Sequence, residues 1–267
     1  MAVGSRGRTD EMVEVAGGSV HLLAGGTGDP LVILHSDIGN PGWSPFAEAL
    51  ARRFTVYLPS HPGYGRSTVP EWARDVRDLA VVYQWLLQDL DLTDVPLVGF
   101  DLGAWIAAEM ATMCHDRFSG LVLVGAAGLK PAVGEIADQF LVSATEHVRQ
   151  GFHDQAKFAA HFGTEPDIDQ LEAWEINREM TARIAWAPFM FSQSLPHLLG
   201  GVKVPALLVW GAQDRLVPVS CARRYAELLP NTELTIVEDC GHYVDLERPE
   251  ELVTLVTDFV CARSRAE

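Results

Sequence analysis

Apolar residues fall in short continuous runs along this chain, separated by longer stretches in which apolar and polar positions repeat with a helical period. LVIL from Leu31, LVLV from Leu121 and ALLVW from Ala206 are apolar at every position, as strands are when helices cover both faces of a sheet. These and weaker runs predict eight strands. They are 12–16 with 20–24 as an opening antiparallel pair, then 31–35, 55–58, 96–100, 120–124, 206–210 and 233–237. Helical periodicity predicts helices at 43–52, 73–89, 104–114, 221–229 and 250–262. Regular alternation of the two from about Leu31 onward is the mark of βαβ units, so an α/β fold with a mostly parallel eight-stranded sheet and helices on both faces is expected.

From Gly128 to about Val202 the alternation stops, and only amphipathic helical patterns remain. Residues 129–202 are therefore expected to form a helical cap inserted into one core domain made of 1–128 and 203–267. A length of 267 residues with 48% apolar content is enough for one large core.

Chemistry enters at PLVGFDLGAWIAAEM, where a strand runs straight into a helix with Gly99 and Gly103 flanking Asp101. A strand-to-helix turn that sharp crowds its neighbours, which glycine relieves, and the helix N-terminus favours an anion. A plain N-cap would also suit an aspartate. Two further segments give the position its company. LLVWGAQDRLVP puts Asp214 after a strand, and EDCGHYVDLERPEE puts His242 in the loop after the next. Asp37, His61, Asp245 and Glu238 lie in or beside the same loops, with Glu238 the substitute should Asp214 be misplaced.

With Asp101, Asp214 and His242 in that order, and with LVILHSDIG and LPSHPGYGRS upstream, the chain resembles the α/β-hydrolase superfamily over nearly its whole length. Its aspartate elbow resembles that of epoxide hydrolases and of haloalkane and haloacetate dehalogenases. That resemblance implies a carboxylate nucleophile attacking an sp³ carbon to form an alkyl ester. His242, supported by Asp214, would then activate water, with the backbone N–H groups of Leu102 and Asp37 as the oxyanion hole. An ester substrate is disfavoured on chemical grounds, because attack by Asp101 would give an anhydride and an alkoxide.

The branch stays open. Epoxide hydrolases of this kind bring cap tyrosines to the epoxide oxygen, yet Tyr57, Tyr64, Tyr83, Tyr225 and Tyr243 all lie outside 129–202. His147, His153, Trp174 or Trp186 would have to serve, and His35, Ser36 and Tyr243 are further substrate-binding candidates. Leu102 stands where the dehalogenases carry a tryptophan or arginine. Ser36 and Asp37 also depart from the usual glycine and neutral residue of the oxyanion loop. Opening an epoxide of a hydrophobic molecule is the favoured expectation. Dehalogenation is the next, with acid–base chemistry without a covalent intermediate beside it, since the GAWIAAEM helix also resembles serine-type carbon–carbon hydrolases. A binding protein without catalysis ranks last.

A net charge of -16 argues against nucleic acid or an anionic membrane as partner. Cys114, Cys221, Cys240 and Cys261 are too scattered for a metal or disulfide motif. No stretch reads as a secretory signal or a membrane span. A cytoplasmic enzyme needing no metal or organic cofactor, with a small molecule and water as its partners, is the expectation.

Overall fold

In the computed structural model residues 6–114 and 117–263 are described; the start of the polar N-terminal stretch, 1–5, lies outside them. Among the described residues eight strands form one sheet in the order β1-β2-β4-β3-β5-β6-β7-β8. The sheet opens with β1 (Arg6–Val15) and β2 (Gly18–Gly26), followed by β3 (Pro30–Leu34), helix α1 (Pro45–Leu50), β4 (Thr55–Pro59) and α2 (Val76–Asp89). Next come β5 (Pro96–Phe100), α3 (Leu102–Met113) and β6 (Gly120–Val124). Strands β1 and β2 pair antiparallel, β2 pairs antiparallel with β4, and every later pairing is parallel. The expected parallel-sheet architecture is thus the one observed.

After β6 the chain forms α4 (Ala144–Gln150), α5 (Gln155–Phe162), α6 (Ile168–Ala185) and α7 (Leu195–Leu198) before returning to the sheet as β7 (Ala206–Gly211). Then follow α8 (Val219–Leu228), β8 (Thr232–Val237), the short α9 (Val244–Glu247) and α10 (Pro249–Arg263). Strand β1 starts six residues before the predicted 12. Residues 7–11 of its added segment are exposed, as an edge strand can be when it has little core to cover.

The sheet separates two apolar layers. On one face α2, α3 and α8 bury Leu79, Leu86, Ile106, Met110, Trp210 and Tyr225. On the other α1 and α10 bury Phe46, Leu50, Leu252, Val256 and Phe259. A third, smaller cluster joins α4, α5 and α6 to the His242 loop through Phe152, Phe158, Trp174, Leu216 and Tyr243. Among the described residues no helix is long and apolar enough to cross a membrane.

The turn from β5 into α3 leaves no room for side chains at its two glycines. A Cβ on Gly99 would sit 2.5 Å from the Ala104 Cα, and one on Gly103 would sit 2.4 Å from the carbonyl oxygens of both Leu34 and His35. Those obstacles are backbone and cannot swing aside. Gly103→Ala is therefore expected to destabilise the fold by about 2–3 kcal/mol, read as a lower denaturant midpoint with an unchanged slope.

Candidate active site

Asp101 ends β5 in a conformation with φ 46° and ψ -109°, a region that non-glycine residues seldom occupy. The surroundings enforce it. Its N–H donates to the Val124 carbonyl at 2.9 Å, and its carbonyl accepts from Trp105 N–H at 3.0 Å. The carboxylate does not cap α3, so the plain N-cap explanation fails. Instead Oδ2 accepts from the Asp37 N–H at 3.4 Å, while Oδ1 faces His242 Nε2 at 3.7 Å.

His242 is fixed from both sides. Its Nδ1 lies 2.8 Å from Asp214 Oδ2, and Asp214 Oδ1 accepts from the N–H groups of Leu216 and Val217, both at 2.9 Å. A backbone bond from His242 N–H to the Gly151 carbonyl, 2.7 Å, ties the loop to the segment after α4. Gly125 must lack a side chain there, because a Cβ would lie 3.0 Å from His242 Cε1.

These groups are all buried, which makes their charges interact strongly. Burial raises Asp101 well above the usual carboxylate range and the nearby Asp37 charge raises it further, with His242 and the Leu102 N–H opposing. Burial alone would depress His242, but Asp214 outweighs it; Asp101 and Asp37 add to the effect, lifting the imidazole to about 9. Asp37 would likewise rise on burial, yet its contacts with His147 and His242 hold it below its usual value. His147 Nε2 stands 3.6 Å from Asp37 Oδ2.

A cavity of about 440 Å³ opens on Asp101 and His242 and is lined by Ser36, Ile38, Phe162, Trp174 and Tyr243 among others. A much smaller pocket of about 10 Å³ touches the same two residues and is lined by Asp37, Gln139, His147, Met190 and Val217. Ser36, Trp174, Tyr243 and His147, candidates from sequence, are thus brought to the site.

Other sequence candidates are not. Trp186 is 51% exposed and meets Phe140 and Phe189 edge to face, because the end of α6 carries it outward. His153 lines neither space; its backbone N–H is bound by Glu247. His35 does border the large cavity, but both its nitrogens are engaged, Nδ1 donating to the Ser36 carbonyl and Nε2 accepting from His61 N–H. Burial depresses it to about 4, so it is a neutral strut. His61 is used similarly, between the His35 carbonyl and the Tyr83 hydroxyl. Glu238 is exposed and cannot replace Asp214. Asp245 borders the large cavity, and burial pushes it up to about 6.

Sequence reasoning missed Gln139 and Glu247. Glu247 is buried and its carboxylate accepts from the N–H groups of Gly241, His153 and Asp154, clamping the His242 loop to the segment between α4 and α5. A glutamate behind an HYVDLE stretch carries no signal of that role; Gln139, in an irregular segment, carries none either. All four cysteines are unpaired. Among the described residues no group of three or more His, Cys, Asp or Glu side chains is placed to hold a metal ion.

A sheet of this order, with a strained turn at the end of its central β5 and a histidine loop after its last strand, defines a class, the α/β-fold hydrolases. The chain belongs to it, for residues 29–249 match the family described as alpha/beta hydrolase fold. Its relatives span several activities. It is 27% identical, over 93% of its own length and 68% of the relative's, to the dihydrolipoyllysine-residue acetyltransferase component of an acetoin cleaving system from Pseudomonas putida. It is 28% identical, over 90% of each chain, to a 2-hydroxy-6-oxononadienedioate/2-hydroxy-6-oxononatrienedioate hydrolase from Paraburkholderia phymatum. A solved meta-cleavage product hydrolase from Pseudomonas fluorescens superposes with a TM-score of 0.80 at 20% identity, covering 94% of this chain and 97% of that one. At that identity the superposition shows the fold alone. None of these three is named an epoxide hydrolase or a dehalogenase.

Proposed function

We propose that this hydrolase opens an epoxide ring of a hydrophobic small molecule, with Asp101 as nucleophile and water as second substrate. One observation carries the reading. The two carboxylate oxygens of Asp101 are differentiated, Oδ2 resting on the Asp37 N–H and Oδ1 facing His242. An alkyl ester formed through the free oxygen leaves Oδ2 as the ester carbonyl, already seated in the oxyanion hole, with His242 beside the carbonyl carbon to activate water. Each such donor is worth about 3 kcal/mol to the tetrahedral intermediate, on mutational precedent. The 440 Å³ cavity is in the range of about 300–1,000 Å³ that small-molecule sites occupy, and residues 129–202 serve as the cap that closes it.

A second reading has specific support. Relatives such as the Paraburkholderia protein are named as hydrolases of 2-hydroxy-6-oxo dienedioates, a substrate without an epoxide, and the raised pKa of Asp101 suits a carboxyl that exchanges a proton instead of attacking carbon. That chemistry leaves no ester on Asp101.

His242→Ala separates the two. Exposed to aliphatic and aryl epoxides, the variant is expected to accumulate an adduct equal to the whole epoxide mass, located on Asp101 by peptide mapping. An alkyl adduct with halide released from a haloalkane panel, and none from the epoxides, moves the assignment to dehalogenation. A folded variant with no adduct from either panel favours the acid–base reading.

A further inference from the structure

Three buried polar atoms without a hydrogen-bond partner in the protein, Asp37 Oδ1, His147 Nδ1 and Gln139 Nε2, belong to residues that line the same small pocket beside Asp101 and His242. Unsatisfied buried polar atoms are costly, and the three residues that carry them line both this space and a neighbouring one of similar size beside Trp174 and Arg178, which makes the region a polar seat. At about 10 Å³ the small pocket holds roughly one oxygen-sized group and no more. None of the three residues borders the 440 Å³ cavity, whereas Asp101 and His242 border both spaces. A molecule with an apolar body and one reactive carbon–oxygen bond therefore fits with its body in the large cavity, its carbon at Asp101 and its oxygen in the small pocket.

We propose that the small pocket seats the leaving oxygen of the substrate and that His147, held by Asp37, is the acid that protonates it; this rests on the ring-opening reading above. The imidazolium keeps its Nε2 toward Asp37 and offers Nδ1–H, the orphaned atom, to the oxygen. The electron pair of Asp101 forms the new carbon–oxygen bond, the ring carbon–oxygen bond breaks, and the freed alkoxide takes the His147 proton as a hydroxyl. Water then adds to the ester carbonyl and gives its proton to His242. The second alkoxide leaves with that proton, and the carboxylic acid formed on Asp101 returns the remaining one to His147. No proton is left over.

The other donors serve less well. Gln139 can donate a hydrogen bond but cannot release a proton. Tyr243 and Trp174 border the large cavity, where the substrate body lies. The carboxylate of Asp37 also makes the pocket hostile to a substrate carboxylate, since a like charge would be buried beside it. A neutral, proton-accepting oxygen is the class the seat takes.

The test is single-turnover alkylation of Asp101, followed by intact mass in a His242→Ala background. It uses two electrophiles with the same carbon body, an epoxide and the corresponding bromide. Only the epoxide oxygen needs a proton to leave. His147→Gln is expected to slow the epoxide reaction by about 10²-fold or more and the bromide reaction by no more than a few-fold. Asp37→Asn, which keeps the backbone N–H, provides a second variant and is expected to show the same selectivity with a smaller loss. Equal slowing of both electrophiles would mark His147 as structural, and unchanged epoxide rates would remove it from the reaction; either overturns the assignment while leaving ring opening intact. A selective loss in Tyr243→Phe and none in His147→Gln overturns it too. If His242→Ala itself gains no adduct, the ring-opening reading falls and this assignment with it.

Discussion

Asp101→Asn is expected to lose at least about 10⁴-fold in turnover, the scale on which removal of a nucleophile acts, while remaining folded. The amide lacks the charge needed to attack an sp³ carbon. Its shape is nearly that of the carboxylate, and asparagine tolerates the positive φ that this position demands. Stability should hold or rise at neutral pH, because the substitution removes a buried carboxylate whose pKa is raised first by burial and then by Asp37. A carboxylate of that kind weighs against the folded state increasingly as pH climbs above its unfolded value, so any gain should be largest on the alkaline side. Product formation and a denaturant midpoint, measured on one preparation, check both halves. Retained turnover in a folded variant would end the case for nucleophilic attack by Asp101.

The parts of this molecule most legible in its sequence are those where one physical requirement dominates. Strands β5, β6 and β7 are buried on both faces, and their continuous apolar runs leave no other reading. Gly99 and Gly103 mark the elbow because any side chain there meets backbone. Order along the chain then placed Asp214 and His242, and the structure brings both to Asp101. The helices between β6 and β7 were legible only as helices. Trp186 and Trp174 look alike in the sequence, yet one is exposed and the other lines the cavity, because α6 carries charged residues on much of its circumference and offers no clear apolar stripe. Glu247 and Gln139 were invisible for a related reason. Their importance arises from loops meeting across about a hundred residues of chain, as when Glu247 binds the N–H groups of His153 and Asp154, and no local pattern encodes such a meeting.

Asp214→Asn should separate the two chemical steps, slowing hydrolysis of the Asp101 ester by about 10³–10⁴-fold, the effect known for loss of a carboxylate that orients a catalytic histidine. Asp214 holds His242 Nδ1 in its donor form at 2.8 Å; an amide nitrogen in its place would reverse the tautomer. Alkylation needs no base, so it should fall far less, and the ester should accumulate as a burst visible by intact mass. The electrostatics add a dependence on pH. In the free enzyme His242 titrates at about 9, lifted against burial chiefly by Asp214, with Asp101 and Asp37 contributing. Below that value it is an imidazolium, which cannot accept a proton from water. Esterification turns Asp101 into a neutral group and removes its share of that lift, so His242 becomes more readily deprotonated only after the ester has formed. The first step thereby prepares the base for the second. In the wild-type enzyme, ester hydrolysis in single turnover should rise with pH through a midpoint below the histidine pKa of the free protein, measured by NMR. A common midpoint for both would mean that the Asp101 charge does not govern His242, and that the two steps are not coupled through it.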